Sequence, residues 1–289
     1  MVEEYIEGPK AQYHYCVTSD PQVKFPPALA ALILCTPAIS SSAELGAHTL
    51  AAWDQYIGAV DARVNSATAG QKPFLWADEN LSRVRRVQHG EVVVSQVKIE
   101  SAQVVPGGLI HDWIGTVFVP DVTLSEVFAV ARDYDSYPRL YGPTVARANL
   151  LSRDGNEDRF TILYVRMVLW VTAALEAEYK AHYFRVDATR WYSIARSSRI
   201  QEFEQYGRSD QRKMPPDDGN GYLWRTYSVT RYEQRDNGVY IEQENIGLSR
   251  QIPPMLRWAV EPVVKRLSRN LLMRSLQQTR EALALKSNR

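Results

Sequence analysis

The chain has 289 residues, of which 45% are hydrophobic and 23% are charged, a globular composition that excludes a disordered or coiled-coil chain. The net charge of +1 gives no overall basic field of the kind that attracts nucleic acid. Cys16 and Cys35 have no metal-ligand neighbours at zinc-site spacing, and two cysteines cannot form a disulfide framework.

Residues 1–43 are predicted to form a leader. Its second half, together with Glu44, reads VKFPPALAALILCTPAISSSAE: one positive charge, a short apolar run and then small residues, the layout of a secretory signal peptide. We expect cleavage after Ala43. The run of about 15 apolar residues is shorter than the roughly 20 that a membrane-spanning helix needs.

Signal peptides begin with a positive end, whereas residues 1–22 carry four acids and one Lys. We therefore expect translation to begin near Val23. The sequence predicts export from a bacterial-type cell, to the periplasm or the medium, through the signal-like residues 23–43. The alternative is a cytoplasmic protein in which this segment is a tail.

Residues 44–105 are predicted to form an N-terminal extension that begins with an amphipathic helix. Apolar residues recur at spacings of three and four, the period of a helix with one buried face. They are Leu45, Ala52, Trp53, Tyr56, Ala59, Val60 and Val64. This face needs a partner surface. A second short helix from Leu81 to Val87 and a strand within HGEVVVSQV complete the extension.

A strand and a clearly marked helix follow the extension. The segment PGGLIHDWIGTVFVP reads as a strand that begins at a glycine turn and ends at Pro120. Immediately after it, Thr123 and Glu126 have the spacing of a capping box, which marks the start of a helix. We expect Pro138 to end this helical stretch, because proline lacks the backbone donor.

The region from Val145 to Leu248 has the pattern of five or six consecutive antiparallel strands. It is rich in aromatic and β-branched residues, and RDGNED, VDATR, MPPDDGNG and RDNG are turn signals. In LEAEYKAHYFR, the odd positions from Leu175 to Tyr183 are apolar or aromatic, and the even positions between them are polar. One face of this strand is therefore expected to be covered and the other to be wet.

A long amphipathic helix is predicted near the end of the chain. It begins at Pro253 and Pro254, which a first turn tolerates, and Pro262 either interrupts it or opens a second helix. Its apolar stripe consists of Leu256, Val260, Val263, Leu267 and Leu271. We expect the stripe to lie against the covered face of the sheet, the nearest apolar surface.

This order of elements resembles the START-like superfamily of lipid-transfer proteins, polyketide cyclases and plant pathogenesis-related proteins. The resemblance extends from Gly107 to Leu285 and rests on VFAVARDYDSYPRLYGP and YIEQENIGLSRQIPPMLRWAVEPVVKRLSR. It implies an α+β fold in which a curved antiparallel sheet grips the long C-terminal helix, here with an N-terminal helical extension. It also implies a hydrophobic cavity between sheet and helix, in a START-like ligand-binding domain of residues 106–289. It implies no particular reaction, since one fold serves binders and enzymes.

The sequence contains no catalytic or cofactor motif. The patterns H-E-x-x-H, G-x-S-x-G, the P-loop and G-x-G-x-x-G are all absent, so we predict no metal, no cofactor and no catalytic residue. His111 and Asp112 are adjacent, but neighbouring strand residues point to opposite faces. They therefore cannot act as a base and its orienting group.

Two carboxylates remain as candidates for a polar site. Glu242 and Glu244 share one strand face and lie about 6.5 to 7 Å apart at strand rise. One interpretation is that both lie on a solvent-exposed face and have no functional role. A second is a glycosidase pair, which their separation also suits. The third interpretation is that they point into the cavity and pair with Arg166, Arg196 or Arg225, because buried charges must be paired.

The predicted ligand-binding residues are aromatic and charged side chains of the strands and of the last helix. They are Tyr164, Arg166, Tyr179, Tyr183, Trp191, Arg225, Tyr227, Glu242, Glu244 and Trp258, with Trp170 and Trp224 as further aromatic candidates. Most aromatic residues are expected to serve core or strand-face packing, because strands favour them whatever the function.

The sequence therefore predicts a protein that binds, carries or sequesters a hydrophobic or amphiphilic small molecule, lipid-like in character, without catalysis. One alternative is a cyclase- or aromatase-like enzyme that uses Glu242, Glu244 or a cavity Tyr as acid or base. Another is an interaction module whose cavity is filled by its own side chains.

The C-terminal segment suggests a membrane partner. Residues 249–289 hold nine Lys and Arg against two Glu, a net charge of +7. We predict peripheral contact with an anionic membrane through Lys265, Arg266 and Arg269, the alternative being a solvated helix face with cations near the helix end. No nucleic-acid partner is expected.

Overall fold

A computed structural model describes residues 45–97, 105–168 and 171–287, without the side chains of residues 167, 168, 171, 286 and 287. The predicted signal segment and Trp170 lie outside the described residues.

The extension begins with helix α1, Ala47–Thr68, whose apolar stripe is buried. The buried apolar residues are Trp53, Tyr56, Ile57, Val60, Val64 and Ala67. This confirms the predicted amphipathic helix. The chain turns at Gly70, whose φ of 75° lies in the left-handed region that glycine adopts without a Cβ clash.

A short 3₁₀ turn, Trp76–Glu79, and helix α2, Leu81–Gln88, connect α1 to the sheet. Asn80 caps α2, because its side-chain oxygen accepts hydrogen bonds from the backbone N–H groups of Ser82 at 2.8 Å and Arg83 at 3.3 Å. The second predicted helix is thereby confirmed.

The described residues form a nine-stranded antiparallel sheet. Its strands are β1 (Val93–Gln96), β2 (Gly108–Pro120), β3 (Val145–Asp154), β4 (Glu157–Val168), β5 (Val171–Arg185), β6 (Arg190–Glu204), β7 (Arg212–Lys213), β8 (Arg225–Arg235) and β9 (Gly238–Arg250). Their order is β1-β2-β9-β8-β6-β5-β4-β3, and the two-residue β7 pairs with β6. Strand β2 pairs with β9 from Gly108↔Arg250 to Pro120↔Gly238, so the first long strand lies beside the last.

Helix α3, Leu124–Ala131, begins with the predicted capping box. The Thr123 side chain accepts from the backbone N–H of Glu126, and Glu126 Oε2 accepts from the backbone N–H of Thr123 at 2.8 Å. The helix ends earlier than predicted. Pro138 lies instead in the first turn of helix α4, Tyr137–Tyr141, where its missing N–H leaves no hydrogen bond unmade.

Helix α5, Arg257–Ser287, follows a 3₁₀ turn at Pro254–Leu256 and continues through Pro262. In its second half, Leu272, Leu276 and Leu283 are buried in one apolar cluster with strand residues. Full burial of each such side chain stabilises the fold by about 1.5–3 kcal/mol relative to exposure.

The sheet is covered on both faces. On the inner face, which we define by Trp113, Val117 and Ile241, α3 and α5 pack against the strands. On the outer face, defined by Tyr227 and Ile246, α1 packs against the strands. Alternate residues of one strand therefore enter two different cores. The α+β helix-grip arrangement implied by the resemblance is confirmed, and the extension covers the outer face.

The alternation predicted for residues 175–183 is also confirmed. Ala177, Tyr179, Ala181 and Tyr183 are buried in an inner-face cluster with Tyr134. The polar positions between them remain half-exposed or exposed, and Glu178 forms ion pairs with arginines of the neighbouring strands.

Candidate functional site

Aromatic side chains fill the inner face beside α3 and α4. Phe160 stacks on Tyr134 with ring centroids 4.1 Å apart and on Tyr179 with centroids 5.2 Å apart. The hydroxyl oxygens of Tyr134 and Tyr183 are 3.2 Å apart, and those of Tyr164 and Tyr179 are 3.1 Å apart. This end of the inner face is therefore a packed core whose polar atoms satisfy one another.

The inner face becomes polar where β2, β8 and β9 meet. His111 Nε2 lies 2.8 Å from Ser249 Oγ, and Ser228 Oγ donates a hydrogen bond to Asn245 Oδ1 at 2.7 Å. Ser228 and Asn245 are directly opposite in the register of β8 and β9. His111, Ser228 and Asn245 are partly buried and Ser249 is buried, and together they form a polar strip on the inner face.

Helix α5 passes this polar strip with its first half. Burial lowers the pKa of His111 to about 4, the charge of Glu261 opposes this shift, and the charge of Lys265 adds to it. The imidazole is therefore neutral near pH 7. Along this half of α5, the apolar side chains Val260, Val264 and Leu267 are only partly buried, in contrast to the second half of the helix.

Five of the predicted ligand-binding residues lie on the inner face of the sheet. Tyr164, Tyr179 and Tyr183 pack in the aromatic cluster, and Trp191 contacts Phe128 with ring centroids 5.1 Å apart. Arg166 follows Tyr164 at a spacing of two on β4 and so has the same orientation. The structure thus brings these five together on the side that α5 covers.

Trp258 lies apart from them, at the beginning of α5. Its side chain is 70% exposed, and the nearby Met255 is 86% exposed. The two form an apolar surface at the start of the helix rather than a wall of the core.

The other four predicted residues lie on the outer face, and the interpretation that they point toward α5 is wrong. Tyr227 donates a hydrogen bond to Asp61 of α1, and Arg225 pairs with Asp217, with Arg225 Nη2 2.9 Å from Asp217 Oδ2. Trp224 is buried in the same outer-face cluster as Tyr227. The period of two in a strand predicts which residues share a face, but it does not predict which face packs against α5.

Glu242 and Glu244 also share the outer face, and both are fully buried, so the solvent-face interpretation is wrong too. Glu242 pairs with Arg231 and Glu244 with Arg63, whereas Arg196 pairs with Asp61 and Arg225 with Asp217. Arg166 lies on the inner face, the opposite side of the sheet.

Glu242 is held by four donors. Its oxygens accept from the backbone N–H groups of Trp76 at 2.9 Å and Ala77 at 3.1 Å, from the Thr116 hydroxyl at 2.8 Å, and from Arg231 Nη1 at 3.2 Å. Burial nevertheless raises the pKa of Glu242, while Arg231 and the two backbone donors act to lower it. Two of these donors belong to the extension and two to the sheet. Glu242 therefore has a structural role, because it holds the extension on the sheet.

Glu244 lies next to a second buried carboxyl group. It forms an ion pair with Arg63 of α1, and its Oε2 lies 4.0 Å from Arg231 Nη1. Asp112 Oδ2 accepts from the Tyr56 hydroxyl at 2.7 Å. Burial, and then the charge of Glu244, raise the pKa of Asp112 well above its usual range. Burial and the neighbouring charge therefore both favour the protonated form of Asp112.

A cavity of about 260 Å³ lies between the extension and the outer face. Ile114, Arg231 and Glu244 line it from the sheet, and Arg63, Lys72, Phe74 and Trp76 line it from the extension. The resemblance implies a cavity on the other side of the sheet, between the strands and α5. This cavity is additional to that expectation.

The partners of the buried acids, Tyr56, Arg63 and Arg231, were not predicted from the sequence. One signal was present: Glu242 and Glu244 share their face with Ile246, and a strand face that contains such a residue needs a cover. The predicted amphipathic helix of the extension also needed a partner surface. The apolar face of this helix and the outer face of the sheet cover each other.

Within residues 45–97, 105–168 and 171–287, no group of three or more His, Cys, Asp or Glu side chains is arranged to hold a metal ion. In the same part of the chain, no helix is long and apolar enough to cross a membrane.

No family model matches the sequence, and no curated protein sequence matches it. Solved structures do match. A fragment of a STAR-related lipid transfer protein from Xanthomonas axonopodis has a TM-score of 0.43 and 16% identity, over 66% of this chain and 98% of its own. Human STARD10 has a TM-score of 0.41 and 10% identity, over 73% of this chain and 82% of its own.

The Zhui aromatase/cyclase from a Streptomyces species has a TM-score of 0.41 and 11% identity, over 61% of this chain and 94% of its own. These values are too low to assign a ligand or a reaction to this chain. By its own strand order, capped helix and long C-terminal helix, the chain has a helix-grip fold.

Proposed function

We propose that the chain binds a hydrophobic or amphiphilic small molecule between the inner face and the first half of α5, and carries or sequesters it without covalent chemistry. The supporting observation is the difference in packing along α5. Its second half buries Leu272 and Leu276, whereas Val264 in its first half is only partly buried. A partly buried apolar stripe gains further hydrophobic free energy when a ligand covers it.

The polar strip below this half of α5 suits the head group of an amphiphile. His111, Ser228 and Asn245 can donate and accept hydrogen bonds, and the apolar part of the ligand would lie along Val264 and Leu267. An apolar wall with a few placed polar groups is typical of small-molecule sites.

The enzyme alternative has little support from the residues suggested for it. Glu242 and Glu244 face away from α5. Burial raises the pKa values of Tyr164 and Tyr179, so neither hydroxyl is ionised near neutral pH and neither can act as a base.

We include membrane contact in this proposal, as the step at which the molecule is exchanged. Met255 and Trp258 are exposed at the start of α5, and Arg266 and Arg269 are exposed further along it. Tryptophan favours the membrane interface, and each nearby cation contributes about 1 kcal/mol on an anionic surface. Lys265 pairs with Glu261 at 2.6 Å, so its contribution is smaller.

The binding proposal is tested with anilinonaphthalene sulfonate, an amphiphile whose fluorescence rises in apolar surroundings. Val264→Trp places bulk beside the polar strip, and Arg274→Trp, at an exposed position of the same helix, is the matched control. We expect Val264→Trp to weaken binding about tenfold through steric exclusion, and the control to leave it unchanged. Equal affinities for both variants and the wild type would refute the site.

Membrane contact is tested by co-sedimentation with vesicles of phosphatidylglycerol and phosphatidylcholine in equal parts. We expect the triple variant Trp258→Ala, Arg266→Glu, Arg269→Glu to lose vesicle binding. The control is Arg208→Glu with Arg212→Glu, two exposed cations far from α5 in sequence. If the triple variant binds as the wild type does at low salt, membrane contact through this surface is wrong.

A further inference from the structure

We propose that the head group of the molecule bound beside α5 is uncharged and rich in hydroxyl groups, as in a neutral lipid that carries a single sugar. This inference rests on the proposed function and names the chemical class of its ligand. It is carried by the side chains that β8 and β9 direct toward the inner face.

Strands β8 and β9 separate their polar side chains by charge. The charged residues on the outer face, all paired within the fold, are Arg225, Arg231, Glu242 and Glu244. The polar residues on the inner face, all uncharged, are Thr226, Ser228, Thr230, Gln243 and Asn245. A sheet face that an amphipathic helix covers is usually apolar. Neutral polar side chains at five such positions therefore indicate a separate role, and placed polar groups are typical of small-molecule sites.

These five side chains are open to solvent, although they lie on the side of the sheet that α3 and α5 cover. All five are partly exposed, and so are Val264 and Leu267 in the first half of α5. Further along, Leu272 and Leu276 of α5 and Val117 of β2 are buried against one another in one cluster. The space for a ligand therefore lies at the neutral polar positions and not at the packed end of the helix.

Two of these side chains have hydrogen-bonding groups that the fold does not use. Ser228 Oγ donates to Asn245 Oδ1 at 2.7 Å, which leaves Asn245 Nδ2 as a donor. Within residues 45–97, 105–168 and 171–287, neither Asn245 Nδ2 nor the Gln243 amide has a protein partner, and neither is closed to solvent. An amide group both donates and accepts, and so does a hydroxyl group, so the two match without any charge.

The polar positions cover the area of a ring rather than that of one atom. Asn245 and Gln243 are two residues apart on β9, a distance of about 7 Å. From His111 on β2 to Ser228 on β8 the sheet extends over two strand spacings, about 10 Å. The lone hydroxyl group of a fatty alcohol reaches one or two of these side chains. One sugar ring presents hydroxyl groups to several of them.

An ionic head group would find no counter-charge at these positions. On the inner face, Asp158 is held by two arginines, and Glu202 accepts from two backbone N–H groups at 2.8 and 2.7 Å. Arg166 has its own interaction within the fold and lies on β4, three strand spacings or about 14 Å from β8. On α5, Glu261 and Lys265 pair with each other at 2.6 Å. A charged head group would therefore lose water without gaining a partner.

The test is isothermal titration of the wild-type protein with three amphiphiles that share an octyl chain: octyl β-glucoside, octyl sulfate and octyltrimethylammonium. Each is used below the concentration at which it forms micelles. We expect the glucoside to bind about tenfold more tightly than either ion, because a charge without a partner is costly to desolvate. This comparison needs no substitution in the chain. Equal affinities, or tighter binding of either ion, would overturn the inference.

A variant with an added charge locates the head group. Asn245→Asp keeps the oxygen that accepts from Ser228 and adds a negative charge. We expect it to bind octyltrimethylammonium about tenfold more tightly than the wild type does, and octyl sulfate more weakly. Asn149→Asp makes the same change at an exposed position of β3 and should leave all three affinities unchanged. Unchanged preferences in Asn245→Asp would mean that the head group does not reach Asn245, and would overturn the inference.

Val264→Trp separates this inference from the proposed function. We expect it to weaken glucoside binding about tenfold, because the octyl chain lies beside Val264. If it weakens all three amphiphiles and the wild type does not prefer the glucoside, the site beside α5 stands and the neutral head group is wrong. If none of the three binds, or if Val264→Trp changes no affinity, both the site and the inference are wrong.

Discussion

Arg231 and Glu242 face each other across β8 and β9, with Arg231 Nη1 3.2 Å from Glu242 Oε1 and both side chains buried. Glu242 also accepts hydrogen bonds from the backbone N–H groups of Trp76 and Ala77. One carboxylate therefore neutralises a sheet arginine and fixes the extension on the sheet. The outer face is a charged interface within the fold.

Glu242→Gln keeps the volume of the side chain and removes the charge that faces Arg231. We expect the free energy of unfolding to fall by about 3 kcal/mol, the lower end of the cost of breaking a buried ion pair, because Glu244 still lies 4.0 Å from Arg231. Urea unfolding measures the loss. The control Glu204→Gln breaks an exposed pair with Arg212 and should cost about 0.5 kcal/mol. Equal losses would contradict the assigned role.

The sequence predicted the order of the elements because each had a local signal. Thr123 and Glu126 marked a helix start, and the alternation from Leu175 to Tyr183 marked a strand with one covered face. These patterns depend on periods of 3.6 and 2 that are visible within one segment. The structure confirms both the helix start and the strand, because each depends only on such a local pattern.

The faces of β8 and β9 could not be predicted in the same way. In β9, Ile241 enters the inner core and Ile246 the outer core, so apolar residues occur in both alternating sets. A strand buried on both faces has no alternation that marks the side of a particular helix. The ion pair between Arg63 and Glu244 joins residues 181 positions apart, and no local pattern reports such a contact.

The raised pKa of Asp112 should make the stability of the fold depend on pH. Its folded pKa is raised by burial and by Glu244, while an unfolded Asp has a pKa of about 3.9. The stability that the proton provides is fully present below the unfolded pKa. It is lost as the pH rises through the folded pKa, because the unfolded chain releases its proton first.

Asp112→Asn keeps a neutral donor at this position at every pH. Between about pH 5 and about pH 8, we expect the wild type to lose more unfolding free energy than the variant, up to about 1.4 kcal/mol for each unit by which the pKa is raised. Urea unfolding at both pH values checks this. Asp210→Asn, at an exposed position, should change nothing. Parallel pH curves for wild type and Asp112→Asn would show that Asp112 is ionised in the fold.

Asp158 should have the opposite pH dependence. Burial acts to raise its pKa, but hydrogen bonds from Arg132, Arg153 and Tyr134 outweigh burial and lower the pKa to about 2. Its contribution is therefore present above the unfolded pKa of about 3.9 and is lost as the pH falls through the folded value.

Asp158→Asn should cost about 3 kcal/mol near neutral pH, because two arginines lose their shared partner. Near pH 3 the difference from the wild type should shrink by about 1 kcal/mol, because Asp158 of the unfolded wild-type chain is then mostly protonated while the folded carboxylate is still ionised. Urea unfolding of both proteins at the two pH values measures this. A difference that stays constant would mean that the arginines do not stabilise the ionised form.

A substitution at Gly115 tests how closely α5 packs against the sheet. A Cβ atom at this position would lie 2.9 Å from Leu276 Cδ1 of α5 and 2.9 Å from Val94 Cγ2 of β1. Such distances force neighbouring side chains to move, and overpacking of a core costs about 1–3 kcal/mol. We therefore expect Gly115→Ala to lower the free energy of unfolding by that amount.

Gly58 provides a matched control of opposite sign. It lies within α1, and a Cβ atom there would meet nothing within 4 Å. Gly58→Ala should raise the free energy of unfolding by about 0.5–1 kcal/mol, because alanine loses less conformational entropy in a helix. Thermal unfolding of the two variants compares them directly. If Gly115→Ala is as stable as Gly58→Ala, then Leu276 does not fit closely against β2, and α5 is held by its other contacts.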